Sequence, residues 1–220
     1  MSTAPELLDV LAEDGRVVGR KPRHLVHRDH DLHGLVFVWS AFAAGGRPVM
    51  VLQRRGRPGD PYAGQVDALA GGHILAGETP VDAGRRELLE EVGLAAAAGD
   101  LLYLGSSRKE RPTGDCRSIL QHLLLYPVPL DLERLRFSDE VDGLAEVDLE
   151  EFSELVLGQR ASLRGRVRFA GEGEEVVEQE LPRSAVTGYP DEILDTFRRS
   201  LASIRGWART GRIDPACFAE

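Results

Sequence analysis

The strongest constraint on this chain is residues 72–94, GHILAGETPVDAGRRELLEEVGL, which combine helix signals with acidic residues at helical spacing. Thr79 suits an N-cap, Pro80 suits the first helical position, and Asp82 stands near the capping-box acidic position. Gly93 supplies a C-terminal stop. The segment therefore predicts one short helix with well-defined ends.

The predicted helix has two different faces. Val81, Leu88 and Val92 form an apolar stripe at helical spacing, which predicts packing against a sheet. Another face carries three carboxylates at positions i, i+3 and i+4, namely Glu87, Glu90 and Glu91. Arg86 precedes Glu90 by four residues and can pair with it. Because the like charges repel, the cluster predicts an offsetting cation, and oxygen ligands suit Mg²⁺ or Mn²⁺.

The whole spacing, G-x5-E-x7-R-E-U-x-E-E-x-G-U with U apolar, resembles the Nudix box without a departure. The pattern is filled by Gly72, Glu78, Arg86, Glu87, Leu88, Glu90, Glu91, Gly93 and Leu94. The resemblance implies an α/β protein with the Nudix α/β/α sandwich and a mixed central sheet, over about residues 8–157. A solvated acidic helix is the alternative, and the intact spacing disfavours it.

Other predicted elements surround this helix. Residues 7–18 predict an N-terminal hairpin with its turn at 13–15. Residues 35–42 and 48–53 predict two strands that form a hairpin of the central sheet. Further strands are predicted at 65–69, 101–105, 118–126 and 143–147. A short helix, a polar hairpin and an amphipathic helix are predicted at 149–157, 166–181 and 191–207.

The length allows one good core with an elaboration, since 42% of the 220 residues are hydrophobic. We expect residues 1–160 to form a Nudix hydrolase domain that includes the N-terminal hairpin. Residues 161–220 are expected to form a C-terminal hairpin-helix extension packed on the same domain.

Composition restricts the partners and the location. The net charge of −9 disfavours nucleic acid as a partner. No apolar run reaches the roughly 18 residues of a membrane span, and no secretion signal begins the chain. Cys116 and Cys217 are far apart, which predicts free thiols in a reducing cytoplasm. The two lysines, Lys21 and Lys109, among many arginines are typical of a GC-rich bacterial genome. We expect a small-molecule diphosphate partner, and a homodimer stays open.

The resemblance also implies roles for residues. Cleaving a diphosphate requires neutralised phosphoryl oxygens and a positioned water, which divalent cations supply. The box glutamates Glu87, Glu90 and Glu91, with the Gly72 carbonyl, would bind Mg²⁺ or Mn²⁺. Arg86 would orient these carboxylates. The general base is either Glu87 or a residue outside the box, for which Glu140 is the candidate; an exposed loop acid is the alternative for Glu140.

Substrate recognition is less well defined by the sequence. Guanidinium groups match phosphate oxygens, so three arginines form a candidate diphosphate clamp, with a solvated loop as the alternative: Arg54, Arg55 and Arg57. Three aromatic residues could stack on a nucleobase, although aromatic residues near strands more often belong to a core: Phe37, Trp39 and Tyr62.

Histidines raise a subfamily question. His27 and His33 precede a predicted strand and His73 follows a double glycine, an arrangement similar to that of the isopentenyl-diphosphate isomerases, a Nudix branch whose histidines hold a metal. However, Gly71 stands where that branch has its catalytic cysteine, and Gln121 stands where it uses a glutamate. His73 is a substrate-binding candidate. His27 and His33 stay open between structural hydrogen bonds and contact with a substrate or metal.

Three hypotheses follow. The leading one is a Mg²⁺-dependent hydrolase that releases a monophosphate from a nucleoside diphosphate derivative, on an isomerase-like frame. The second is an isopentenyl-diphosphate isomerase, and the third is a non-catalytic nucleotide-binding sensor.

Overall fold

Strands alternate with four α-helices in the part of the chain that the structure describes. The structure is a computed structural model, and it describes residues 5–56, 59–60, 62–110, 118–170, 175–186 and 189–218. The strands are β1 Leu7–Leu11, β2 Val17–Pro22, β3 His33–Ser40, β4 Phe42–Ala44, β5 Arg47–Arg55, β6 Val66–Asp67, β7 Ala70–His73, β8 Leu102–Glu110, β9 Ser118–Tyr126, β10 Val141–Asp148, β11 Ser162–Phe169 and β12 Val177–Pro182. The α-helices are α1 Arg23–Asp29, α2 Pro80–Val92, α3 Leu149–Val156 and α4 Asp191–Thr210.

A four-stranded mixed sheet lies at the centre, with the order β7-β3-β9-β8. Strands β3 and β9 run parallel, whereas the other neighbours are antiparallel. Alternate side chains of a strand point to opposite faces of the sheet. Apolar side chains of the central sheet therefore lie on both of its faces. Val38 and Leu124 pack in the cluster that contains Leu88 of α2. Leu123 packs in the cluster that contains Phe197 of α4. The expected α/β/α sandwich with a mixed central sheet is confirmed.

A second sheet has the order β12-β11-β10-β5-β4, with β6 beside β5. Strand β11 pairs antiparallel with β10 and with β12. The predicted C-terminal hairpin is thus present, with strands Ser162–Phe169 and Val177–Pro182. No helix in the described ranges is both long and apolar enough to cross a membrane.

The predicted hairpin of residues 35–42 with 48–53 is wrong in its first strand. Strand β3 ends at Ser40 in the central sheet, and of residues 35–42 only those in β4 pair with β5, in the second sheet. The Ser40 hydroxyl donates to the Val51 carbonyl at 2.8 Å and accepts from the Val51 N–H at 2.7 Å. This buried hydroxyl links the two sheets where the chain changes between them. A continuous apolar run cannot reveal such a change.

The N-terminal hairpin of β1 and β2 is confirmed, and it packs on the loop that precedes α2. Leu8 pairs with Leu75, and the Ala76 N–H donates to the Leu7 carbonyl at 2.8 Å. The Gly77 N–H donates to the Asp9 carboxylate at 2.8 Å. These contacts place α1, which follows the hairpin, beside β7. Near the other end of the chain Cys217 is a free thiol; Cys116 lies outside the described residues.

Candidate active site

Helix α2 has the predicted ends. The Thr79 hydroxyl accepts from the Asp82 N–H at 3.1 Å, Pro80 is the first helical residue, and Gly93 ends the helix with φ 69°. Any residue other than glycine would have a strained backbone at that positive φ. The helix therefore starts and stops where its sequence signals indicate, which fixes the rotation of its acidic face.

Two of the three box carboxylates are buried at this face. Glu87 is 8% exposed and Glu91 is 6% exposed, whereas Glu90 is exposed. Gly72 of β7 lies directly against Glu87, because a Cβ at Gly72 would come within 2.2 Å of the Glu87 Oε1 atom. A larger residue at position 72 would therefore displace this carboxylate from its place against the strand.

Glu91 is held from the sheet side. Its Oε2 atom accepts from the Gln53 amide at 3.0 Å and from the Gly71 N–H at 3.3 Å. Burial, together with the Glu87 and Glu140 carboxylates, raises the pKa of Glu91 well above its ordinary value. Burial likewise raises the pKa of Glu87. A divalent cation between these oxygens would relieve the repulsion, so the donor set fits Mg²⁺ or Mn²⁺.

Arg86 connects the acidic residues with the neighbouring strand. Its guanidinium donates to Glu87 at 2.7 Å and to Glu90 at 3.1 Å, which confirms the predicted intrahelical pair. It also forms two bonds to the Glu78 carboxylate and one to the His73 carbonyl, at 2.8 Å. Arg86 therefore fixes the relative positions of the box loop, β7 and the carboxylates.

Three histidines converge on the other side of β7. His27 of α1, His33 of β3 and His73 of β7 place their ligand nitrogens within 4.8 Å of one another. The His27 and His73 Nε2 atoms are 3.0 Å apart. His33 Nδ1 bonds to the Asp31 carbonyl at 2.8 Å, while His33 Nε2 is buried without a hydrogen-bond partner among the described residues.

The protonation of these histidines favours a ligand role. Burial lowers the pKa of His33, and burial together with neighbouring cationic and imidazole groups lowers the pKa of His73 to about 2. Both rings are therefore neutral near pH 7. Neutral imidazole nitrogens are ligands for Zn²⁺, Mn²⁺ and similar ions, so this cluster could hold a metal separate from the carboxylates.

One cavity of about 1000 Å³ joins these groups to a third region. His27 and His73 line it, as do Glu140 and the three box glutamates. It continues to a series of aromatic rings that we name the aromatic wall, formed by Trp39, Tyr62, Tyr189 and Phe197. Sequence reasoning missed Tyr189 and Phe197, because the amphipathic pattern of α4 predicts a buried face but not what that face contacts.

Neither of the two described clamp candidates, Arg54 and Arg55, has a guanidinium free for a diphosphate. Arg54 forms two bonds to Asp142, at 2.7 and 2.9 Å, and its guanidinium lies 4.5 Å from the Phe169 ring centroid. Arg54 is also not among the described residues that line the cavity. Arg57 lies outside the described residues.

Arg55 lines the cavity but already binds two carboxylates, Asp60 and Asp67. Tyr189 donates its hydroxyl to the same Asp67 oxygen at 3.2 Å. Burial raises the pKa of Asp67, while Arg55 opposes that shift. The Arg55 guanidinium therefore neutralises Asp60 and Asp67, and through Asp67 it connects the end of β5 to the aromatic wall.

Comparison with known proteins identifies one family. A model of the NUDIX domain matches residues 31–166. A Nudix hydrolase of Clostridium acetobutylicum is 29% identical over 150 residues, which are 67% of this chain and 72% of that protein. Nudix hydrolase 3 of Arabidopsis thaliana is 33% identical over 157 residues, 68% of this chain but only 20% of the plant protein.

The similarity to a solved structure concerns the fold and not the function. The crystal structure of DR0079 from Deinococcus radiodurans has a TM-score of 0.52 at 20% sequence identity. The alignment covers 70% of this chain and 90% of that one.

Proposed function

The chain belongs to the Nudix family and is a hydrolase of pyrophosphate bonds; from this premise we propose that it is a Mg²⁺- or Mn²⁺-dependent enzyme acting on a nucleoside diphosphate derivative. The reaction would release a monophosphate. The observation that carries the proposal is the convergence of buried Glu87 and Glu91 on one cavity with Glu140. Such a group of acids favours a cation, and a diphosphate needs one.

The residues of the chain divide the work of hydrolysis. Glu87, Glu90 and Glu91, with the Gly72 carbonyl, would hold the cation, which when bound neutralises phosphoryl oxygens and acidifies water. Arg86 keeps two of these carboxylates in place. Glu140 lines the cavity and is our candidate to accept the proton of the attacking water. The water oxygen would bond to phosphorus while the bridging P–O bond breaks, and the bridging oxygen would leave on the other phosphate with the electron pair of that bond.

The C-terminal part belongs to the same enzyme in this proposal. Pairing of β11 with β10 and the lining of the cavity by Tyr189 and Phe197 support one domain over residues 1–160 with 161–220 as its extension. The substrate would then contact both parts.

A substrate panel tests the reaction. Nucleotide sugars, dinucleotides, nucleoside triphosphates and coenzyme A are incubated with MgCl₂ or MnCl₂, and monophosphate and phosphate release are measured. We expect turnover that requires the cation and falls at least about 100-fold in Glu91→Gln. The exposed loop acid Glu133 gives the matched control, Glu133→Gln. Unchanged turnover in Glu91→Gln would contradict the proposal.

The histidine cluster favours one alternative, isopentenyl-diphosphate isomerase. It supports an isomerase-like frame, but a Cβ at Gly71 would lie 3.0 Å from both the Phe37 ring and the Val36 carbonyl. A catalytic thiol therefore has little room there, and Gln121 offers no acid. With isopentenyl diphosphate in heavy water we expect no deuterium uptake, and uptake would establish the isomerase instead.

A further inference from the structure

We infer that the aromatic wall binds the nucleobase of the substrate and that Tyr62 and Ile193 contact the base. The inference rests on the proposed function, because it assigns the part of a nucleoside diphosphate that lies away from the reacting phosphorus. Tyr189, Ile193 and Phe197 lie beyond residues 31–166, so part of this base site is formed outside the family match.

The rings form a connected series. Tyr62 and Tyr189 have centroids 4.9 Å apart, Tyr189 and Phe197 5.3 Å, and Phe197 and Trp39 5.0 Å with an edge-on arrangement. Trp39, Tyr189 and Phe197 are buried, whereas Tyr62 is partly exposed. Ile193 of α4 is also partly exposed and lines the same cavity. These two side chains have surface left for a ligand.

Hydrogen bonds hold the groups that surround Tyr62. Its backbone N–H donates to the Asp60 carboxylate at 2.8 Å, and Asp60 also binds Arg55. Tyr189, against which the ring packs, is anchored through its hydroxyl to Asp67. A wall fixed by such contacts does not need to be ordered when a ligand binds, which favours affinity.

Polar groups in the same cavity favour a base over an aliphatic chain. Gln121 and Thr196 are buried, line the cavity and lie 3.0 Å apart through their amide and hydroxyl oxygens. A nucleobase has apolar faces that stack on a ring and a polar edge that can meet an amide and a hydroxyl. An isoprenoid chain is apolar but has no such polar edge. The volume of about 1000 Å³ accommodates a nucleoside beside the diphosphate.

Calorimetric binding of monophosphates tests the base site without hydrolysis. AMP, GMP, CMP, UMP and ribose 5-phosphate are titrated into the full chain with MgCl₂. We expect at least one nucleotide to bind about tenfold more tightly than ribose 5-phosphate. Tyr62→Leu should remove that advantage and leave ribose 5-phosphate binding unchanged, while Tyr62→Phe should retain it.

A surface tyrosine supplies the matched control. Tyr103 is 46% exposed and is not among the described residues of the cavity, so Tyr103→Leu should bind like the wild type. If Tyr62→Leu is poorly folded by circular dichroism, Ile193→Ala replaces it, with an expected loss of about threefold for the nucleotide alone.

Two results would overturn the inference. One is equal affinity for all five monophosphates, and the other is geranyl monophosphate binding more tightly than every nucleotide, which would assign the wall to an apolar chain. Hydrolysis is scored separately: base-dependent binding without cation-dependent hydrolysis would contradict the proposed function and leave the base site standing.

Discussion

The carboxylate end of the cavity and the aromatic wall are assembled in different ways. At the carboxylate end, Glu87, Glu90, Glu91 and Arg86 all come from one helix, and their arrangement follows from helical spacing. At the wall, the four rings come from separate parts of the chain. Long-range packing alone brings them together. The geometry of the carboxylates is therefore encoded locally, whereas the geometry of the aromatic wall depends on the whole fold.

The largest effect should come from crowding the carboxylate end. Gly72→Ala places a Cβ within 2.2 Å of Glu87 Oε1, so the carboxylate must move. We expect kcat for diphosphate hydrolysis to fall about 100-fold, because small displacements of reacting groups cost that much. The melting temperature should change little.

Gly19 provides the control for this substitution. A Cβ at Gly19 meets no atom within 4 Å, so Gly19→Ala should leave kcat unchanged. Wild-type activity in Gly72→Ala would show that Glu87 need not lie against β7, and the carboxylate end would then be less tightly determined than its helix suggests.

The sequence predicts the helix of the carboxylate end together with its two ends and one ion pair. The Thr79 cap, the Gly93 stop and the Arg86–Glu90 pair are local features, and the structure contains each of them. The support of Glu91 by Gln53 was not predictable, because it depends on which strand lies beside α2. Similarly, tertiary pairing sets the carboxylate partners of Arg54 and Arg55, and the sequence pattern that predicts a clamp of Arg54, Arg55 and Arg57 contains no sign of these partners.

The wall and the histidine cluster show the same limit. The sequence pattern of His27, His33 and His73 is similar to that of metal-holding histidines, but their convergence depends on the packing of the N-terminal hairpin on the box loop. The sequence run that includes Ser40 gave no sign of a change of sheet. Local patterns therefore identified the elements, and only packing identified the partners.

A smaller effect is expected at Gln53, which joins the long-range and the local parts of the carboxylate end. Gln53→Met removes the amide that donates to Glu91 while nearly preserving volume. Residues that support metal ligands contribute about 10- to 100-fold in metal affinity, so the Mg²⁺ affinity should fall within that range. Calorimetric titration with MgCl₂ measures it.

The exposed Gln179 of β12 gives the matched variant, Gln179→Met, which should bind Mg²⁺ normally. Nucleotide binding at the aromatic wall should also persist in Gln53→Met. A loss of Mg²⁺ affinity below about threefold would mean that Glu91 is positioned without the Gln53 amide.

Tyr189→Phe probes the wall with a stability change. The substitution keeps the ring but removes the hydroxyl that donates to buried Asp67. Asp67 retains Arg55 as a partner, so we expect a loss of about 1 kcal/mol in the free energy of unfolding. The melting temperature should then fall by about 2–4 °C. Tyr103→Phe, at an exposed hydroxyl, should shift it less, and an equal shift in both variants would contradict a special role for the buried bond.

The smallest expected effect is a pH dependence that distinguishes the carboxylate end of the cavity from the aromatic wall. In the metal-free chain the folded-state pKa of Glu91 is raised by burial and by Glu87 and Glu140, so the folded state holds a proton that the unfolded state releases. Stability should therefore fall as the pH rises from about 4.5 through that raised pKa.

A bound cation favours the ionised form of Glu91 over the protonated form, so Mg²⁺ binding should release a fraction of a proton. Calorimetry at pH 6 in two buffers of different ionisation enthalpy measures this fraction, and Glu91→Gln should reduce it. Nucleotide binding at the aromatic wall should depend less on the buffer. Buffer-independent heats for Mg²⁺ would mean that the carboxylates are already ionised before the cation arrives, and that their repulsion is balanced within the protein.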